Sequence, residues 1–287
     1  MSFVEAEIAS QPELWRRAAA LAPSVASALP GRGARVAVVG CGTSLYMARA
    51  WAALRESAGA GETDAFPASE FPSARSYDHV VAITRSGTTT EIVRLVTALT
   101  CPTTVVTADA SLPAGAAAAH AIELPFADEK SVVQTRFATT ALALLRASLG
   151  SSLDAAAVDA VVEVDRPVEG LDRRQFTFLG TGWTVGLAEE AALKVREAAQ
   201  AWAESYPAME YRHGPISIAD PSTAVWIFED APDGLLDDVA RTGAEIVTAA
   251  IDPMALLVRA QRLAVALAVQ CGLDPDAPRN LTRSIVL

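Results

Sequence analysis

Two stretches of this 287-residue chain repeat one pattern, an apolar β-type run, then a turn of glycines and small residues, then a helix-like stretch. The first is Val36-Ala37-Val38-Val39-Gly40-Cys41-Gly42-Thr43. The second is Phe176-Thr177-Phe178-Leu179-Gly180-Thr181-Gly182. A strand that ends in such a turn and feeds a helix opens a βαβ unit, and such units build parallel sheets with helices on both faces. Further strands are expected at His79–Thr84, Thr103–Thr107 and Ala121–Leu124. Helices are expected over Leu45–Glu56, with Ser44 as a candidate cap, over Glu91–Leu99 and over Val132–Leu149. After the second turn a helix is expected from Val185 to Trp202, and another from Met254. Asp165-Arg166-Pro167 reads as a linker, because proline blocks helix continuation. The expected class is α/β, with an N-terminal helix and a first domain in residues 1–162 and a second domain in residues 163–287.

Composition excludes several alternatives. Apolar residues at 51% give too much surface to bury for a disordered chain. The most apolar stretch, Met254 to Gln270, is broken by Arg259 and Arg262, so no membrane span is expected. Glu5 and Glu7 stand where a secretory signal would be basic and then apolar. The balance of 23 basic against 34 acidic residues, net −11, argues against a nucleic-acid partner. Cys41, Cys101 and Cys271 show no metal spacing and no disulfide framework, which points to a reducing, cytoplasmic setting without a metal. No cofactor is expected, because Leu45 stands where a dinucleotide fingerprint needs its third glycine.

The candidate chemistry lies in the turns. Gly40-Cys41-Gly42-Thr43-Ser44 is either a plain tight turn or a backbone site for an anion at a helix start. Thr84-Arg85-Ser86-Gly87-Thr88-Thr89-Thr90-Glu91 offers hydroxyls and a guanidinium after a neighbouring strand. It fits a phosphate monoester, and it also fits a capping box between Thr88 and Glu91. Both turns would converge at the carboxyl edge of one sheet. Ser131 to Arg136 is expected to cap the next helix, with Gln134, Thr135 and Arg136 in reach of the same crevice. On the helix after the second turn, Glu190, Lys194 and Glu197 lie opposite an apolar stripe of Ala188, Ala191, Ala192, Val195, Ala199 and Trp202. They form either a solvated face with ion pairs or a carboxylate base beside a lysine. His79 and His120 read as structural, whereas His213 precedes Gly214-Pro215 in a polar loop and offers an accessible imidazole.

Together these stretches resemble the double-domain sugar isomerase (SIS) family, as in the isomerase half of glucosamine-6-phosphate synthase and standalone aminosugar-phosphate deaminases and isomerases. The likeness rests on Gly40 to Ser44, Arg85 to Thr89, Glu190 to Glu197, His213-Gly214-Pro215 and Pro278-Arg279-Asn280-Leu281-Thr282-Arg283-Ser284. The resemblance implies a flavodoxin-like sheet in each domain and a sugar phosphate held by Thr43, Ser44, Thr84, Ser86 and Thr89. Gly42, Arg85, Val132, Gln134 and Thr282 complete the expected binding set. It implies Glu197 as the base that moves a proton between C1 and C2, Lys194 beside it, and His213 as a ring-opening group. In the family that histidine reaches a partner's site, so a homodimer with shared sites is expected.

This chain departs from the family pattern in three ways. Arg283 replaces a C-terminal lysine that can form an imine, and a guanidinium can stabilise an oxyanion but cannot be that nucleophile. No glutaminase region with an N-terminal cysteine is expected before the first sheet, so synthesis of glucosamine 6-phosphate from glutamine is not expected. The stretch between His213 and Arg283 is short, so the second sheet is expected to lack one family strand. The expected activity is aldose–ketose isomerisation of a phosphosugar, with or without loss of ammonia from an aminosugar phosphate. The alternative is a sugar-phosphate-binding regulatory protein without turnover, which Arg283 favours and the Glu197 and His213 pair opposes.

Overall fold

The structure, a computed structural model, describes residues 2–287. Helix α1 (Phe3–Val25) opens with a capping box in which Ser2 and Glu5 exchange hydrogen bonds. The first sheet takes β1 (Val36–Gly40), β2 (Thr63–Pro67), β3 (His79–Thr84), β4 (Thr103–Thr107) and β5 (His120–Glu123). All its pairs are parallel, in the order β2-β1-β3-β4-β5. Helices α2 (Thr43–Ser57), α3 (Thr90–Ala98), α4 (Pro113–Ala117), α5 (Arg136–Ser148) and α6 (Asp154–Asp165) accompany it. The second half runs β6 (Gln175–Gly180), α7 (Thr184–Ala199), β7 (Trp202–Pro207), β8 (Thr223–Ile227), α8 (Leu235–Ala240), β9 (Glu245–Val247) and α9 (Pro253–Gln270). Its sheet is also parallel, in the order β7-β6-β8-β9, four strands against the first sheet's five.

Strands β1, β4 and β8 are buried along their whole length, which is why they read as continuous β-branched or apolar runs rather than alternating ones. In each sheet the chain winds to one side of the first strand and then to the other. The switch points lie between β1 and β3 and between β6 and β8, and a crevice opens there at the carboxyl ends. One continuous core joins the two halves, with Trp15 of α1, Trp51 of α2, Phe137 of α5 and Phe176 and Phe178 of β6 all at most 1% exposed. Helices α2 and α7 pack against each other within it.

Several expectations give way to local physics. Helix α5 begins at Arg136, not Val132, because the buried Glu129 carboxylate accepts the amides of Thr135, Arg136 and Phe137 and fixes the helix start there. Val132 and Gln134 are therefore loop residues. Trp202 is not on the α7 stripe; α7 ends at a left-handed Gln200, and Trp202 starts β7 with 69% of its surface exposed. Ser44 is not the cap of α2, which starts at Thr43 behind Gly42. No capping box joins Thr88 to Glu91 either; Thr89 holds the N-cap position of α3, and Glu91 turns into the crevice. Helix α6 runs through the expected division at residues 162/163 and stops at Asp165, before Pro167.

Candidate active site

The crevice of the first sheet holds a cavity of about 290 Å³. Its floor is the two turns. After β1, Gly42 takes φ +55°, where a side chain would be strained, and this sharp reversal points Thr43 and Ser44 into the cavity. After β3, Thr84, Arg85, Ser86 and Thr89 line the same space, with the Ser86 and Thr89 hydroxyls 3.3 Å apart. Val132 and Gln134 close one side from the loop before α5, and Thr282 and Arg283 cross from the C-terminal tail. Glu197 enters from α7. One cavity thus gathers hydroxyls, a helix N-terminus and a carboxylate from segments 240 residues apart between Gly42 and Thr282.

The Glu190, Lys194 and Glu197 face is not solvated. It packs against the first half of the chain, leaving Glu190 0% and Lys194 1% exposed. The Lys194 ammonium donates to Thr43 Oγ1 at 2.9 Å, bonds the Glu197 carboxylate and lies 3.5 Å from Glu190. An exposed helix pair would contribute only about 0.3–0.5 kcal/mol, whereas leaving a buried charge without its partner costs about 3–5 kcal/mol. This lysine is therefore a structural tie between α7 and α2 as well as a neighbour of Glu197. Burial opposes the Lys194 charge, but Glu190 and Glu197 outweigh it and hold the ammonium above the usual lysine range. Burial pushes the Glu190 carboxyl up to about 8 against the pull of Lys194, so it carries a proton at neutral pH. Glu197 then lines the cavity as a carboxylate, with the Lys194 ammonium bonded to it from behind.

The arginines behave differently from a free anion clamp. Arg85 lines the cavity, but its Nη atoms donate to the backbone oxygens of Ser131, at 3.1 Å, and Arg283, at 3.0 Å. Burial lowers the Arg85 affinity for its proton, and Glu129, 3.8 Å away, offsets it. Arg283 bonds the Glu129 backbone oxygen and pairs with Asp128. Hydroxyls and backbone dipoles are thus the main groups left to receive an anion. His213 is not in this cavity. It sits exposed at the end of a 3-10 turn, Glu210–His213, before Gly214.

The cavity is also lined by Cys41, Glu91, Asn280, Leu281 and Ser284, which the sequence marks as parts of motifs or as a cap but not as site residues, and by Ile285, which it does not mark at all. Burial, reinforced by Glu91, pushes the Cys41 thiol up and keeps it protonated. The tail is marked in the sequence by its Pro278–Ser284 motif, and the structure ties it to the second turn, where Thr88 Oγ1 donates to the Ser284 hydroxyl and the Thr90 amide donates to the Ile285 carbonyl. Among the described residues no group of three or more histidines, cysteines or carboxylates could hold a metal ion, and no helix is long and apolar enough to cross a membrane.

No family model matches the chain. It is 33% identical over 138 residues to the isomerizing glutamine–fructose-6-phosphate aminotransferase of Aeropyrum pernix, a match covering 38% of this chain and 22% of that protein. The chain spans about a quarter of the length of the curated relatives it matches. Its fold is similar to that of a glucosamine-6-phosphate deaminase from Thermotoga maritima, with a TM-score of 0.83, 22% identity and full coverage of both chains. It is equally similar to the tagatose-6-phosphate ketose/aldose isomerase of Escherichia coli, with a TM-score of 0.83, 20% identity and coverage of 98% and 97%. The chain is thus similar in sequence, over part of its length, to isomerizing glutamine–fructose-6-phosphate aminotransferases, and along its whole length its fold is that of solved sugar-phosphate isomerases and deaminases.

Proposed function

We propose that this chain is a phosphosugar isomerase that moves a proton between C1 and C2, and that its substrate class includes aminosugar phosphates. The single observation that carries this reading is that Glu197 reaches a hydroxyl-lined cavity while bonded to a lysine that also holds Thr43 of the phosphate turn. In this account the phosphate rests on Thr43, Ser44, Ser86 and Thr89. The opened sugar then extends toward Glu197. The carboxylate removes the proton from the carbon beside the carbonyl, and the C–H electron pair becomes the C=C bond of an enediol as the carbonyl oxygen takes negative charge. Lys194 stabilises charge near that oxygen, which takes the proton of the neighbouring hydroxyl; that hydroxyl oxygen becomes the new carbonyl as the C=C electron pair takes the proton back from Glu197 at the other carbon. With an amine on C2 the same proton transfer yields an enolamine. Its tautomer, an imine, releases ammonia on hydrolysis. Arg283, a permanent cation, offers no imine to the substrate, so the step proceeds on the free carbonyl.

His213 has no place in this chain's own cavity, so we assign it to the site of a partner copy, as the resemblance implies. The second reading is a sugar-phosphate binder without turnover. The position of Arg283, engaged with Asp128 and Glu129, and the distance of His213 from the cavity favour it. One experiment separates the two. The chain is incubated with glucosamine 6-phosphate, fructose 6-phosphate and tagatose 6-phosphate, and thermal shift, isomer formation and ammonia release are recorded. The proposal expects at least one sugar to raise the melting temperature and be turned over. A shift without turnover supports the binder, and no shift with any of them overturns both.

A further inference from the structure

Glu7 belongs to α1, outside the cavity and outside every step above. It is 3% exposed, and both its oxygens are committed to a loop more than 120 residues away. Oε1 accepts the amides of Lys130, at 2.5 Å, and Ser131, at 3.4 Å, and Oε2 accepts the Ser131 hydroxyl. A buried carboxylate is costly unless its lone pairs are filled, and here the loop backbone fills them. The same loop has further holds, with Arg283 bonding the Glu129 backbone oxygen and pairing with Asp128. Arg85 donates to the Ser131 carbonyl, and the Val132 amide donates to the Asp276 carbonyl. Asp276 in turn caps α1, its carboxylate accepting the amides of Phe3 and Val4 at 2.8 and 2.7 Å. The next loop residues, Val132 and Gln134, are the ones that wall the cavity.

We propose that Glu7 is a positioning residue for the candidate site, acting through Ser131 to hold the loop that carries Val132 and Gln134 against the bound sugar phosphate. The proposal rests on the phosphosugar reading for its ligand, but the holding of the loop is measurable without one. A purely architectural role for Glu7 would act on the seating of α1. That seating has separate support, since Gln11 accepts the Thr139 hydroxyl at 2.6 Å and Trp15 donates to the same oxygen at 3.0 Å. Losing Glu7 should therefore free the loop and leave the helix docked.

The test compares Glu7→Ala and Glu7→Gln with wild type by amide hydrogen exchange, and by calorimetry with glucosamine 6-phosphate, fructose 6-phosphate and tagatose 6-phosphate. Glutamine can still accept from one amide and donate to the Ser131 oxygen, whose own proton can go to the Val133 carbonyl 2.9 Å away. In Glu7→Ala, exchange over residues 128–135 should rise about tenfold or more while α1 and α5 stay near wild type, and affinity should fall by a similar factor. Glu7→Gln should recover most of both. Unchanged exchange in the loop, or equal rises across α1 and α5, overturns the proposal, as does wild-type affinity in Glu7→Ala. If wild type binds none of the sugars, the phosphosugar reading and the ligand part of the proposal fall together, and exchange at 128–135 still decides whether Glu7 holds the loop.

Discussion

Glu190, buried beside the site but outside its cavity, makes the stability of the fold depend on pH. It is fully buried and, by our reading, protonated at neutral pH, whereas in the unfolded chain it ionises near 4.5. Between pH 4.5 and about 8 only the folded chain keeps the proton. Its contribution to stability is therefore full below pH 4.5 and is lost as pH rises through 8. Lys194, raised above the usual lysine range, changes nothing in that window. Glu190→Gln imitates the protonated acid at every pH. Its stability should lie close to wild type near pH 5 and exceed it increasingly toward pH 9, by roughly 4 kcal/mol more at the upper end than at pH 5, read as a widening gap in melting temperature. A constant difference across that range would mean that Glu190 is ionised in the fold.

At the scale of elements, the meeting of α2 and α7 aligns the two halves of the site. Gly186 lies where a Cβ would sit 2.4 Å from the Tyr46 carbonyl oxygen and 2.9 Å from the Ala50 amide nitrogen. Both are backbone atoms and cannot rotate away. Gly186→Ala should force the helices apart, cost about 1–3 kcal/mol in a denaturant titration and reduce turnover by moving Glu197 away from Thr43. Wild-type stability in this variant would show that the contact is looser than described. The sequence made part of this arrangement legible. Thr103–Thr107 and His79–Thr84 are visible as strands because central parallel strands are continuous β-branched or apolar runs. Edge strands β2 (Thr-Asp-Ala-Phe-Pro) and β7 (Trp-Ala-Glu-Ser-Tyr-Pro) carry polar residues and proline, and so read as loops. Helix α6 was missed because its alanine and valine run has little helical periodicity to reveal it. Thr43, Ser86 and Glu197 could be found because a turn or a helix face marks them. Glu7, Glu129 and Asp276 could not, since their partners are six to more than 270 residues distant and no spacing announces them.

At the scale of the whole molecule, the cavity is built by the turns of the first sheet, the loop before α5, α7 and the tail together, yet His213 lies elsewhere. If His213 serves a partner's cavity, the chain is at least a dimer with two composite sites. Glu197→Gln and His213→Ala should then each be inactive alone. Mixed after subunit exchange, they should recover about a quarter of wild-type activity, because each hybrid dimer holds one intact site. An active His213→Ala would place His213 outside the chemistry, and no recovery, with mixing confirmed by mass, would show that it does not act in a partner's cavity.

The central claim, that Glu197 moves the proton between C1 and C2, is most directly tested by solvent deuterium exchange at C2 of the phosphosugar that the chain turns over. Wild type should exchange that hydrogen, and Glu197→Gln should bind the sugar almost as tightly while exchanging it at least about a hundredfold more slowly. Exchange by Glu197→Gln at the wild-type rate would contradict the account.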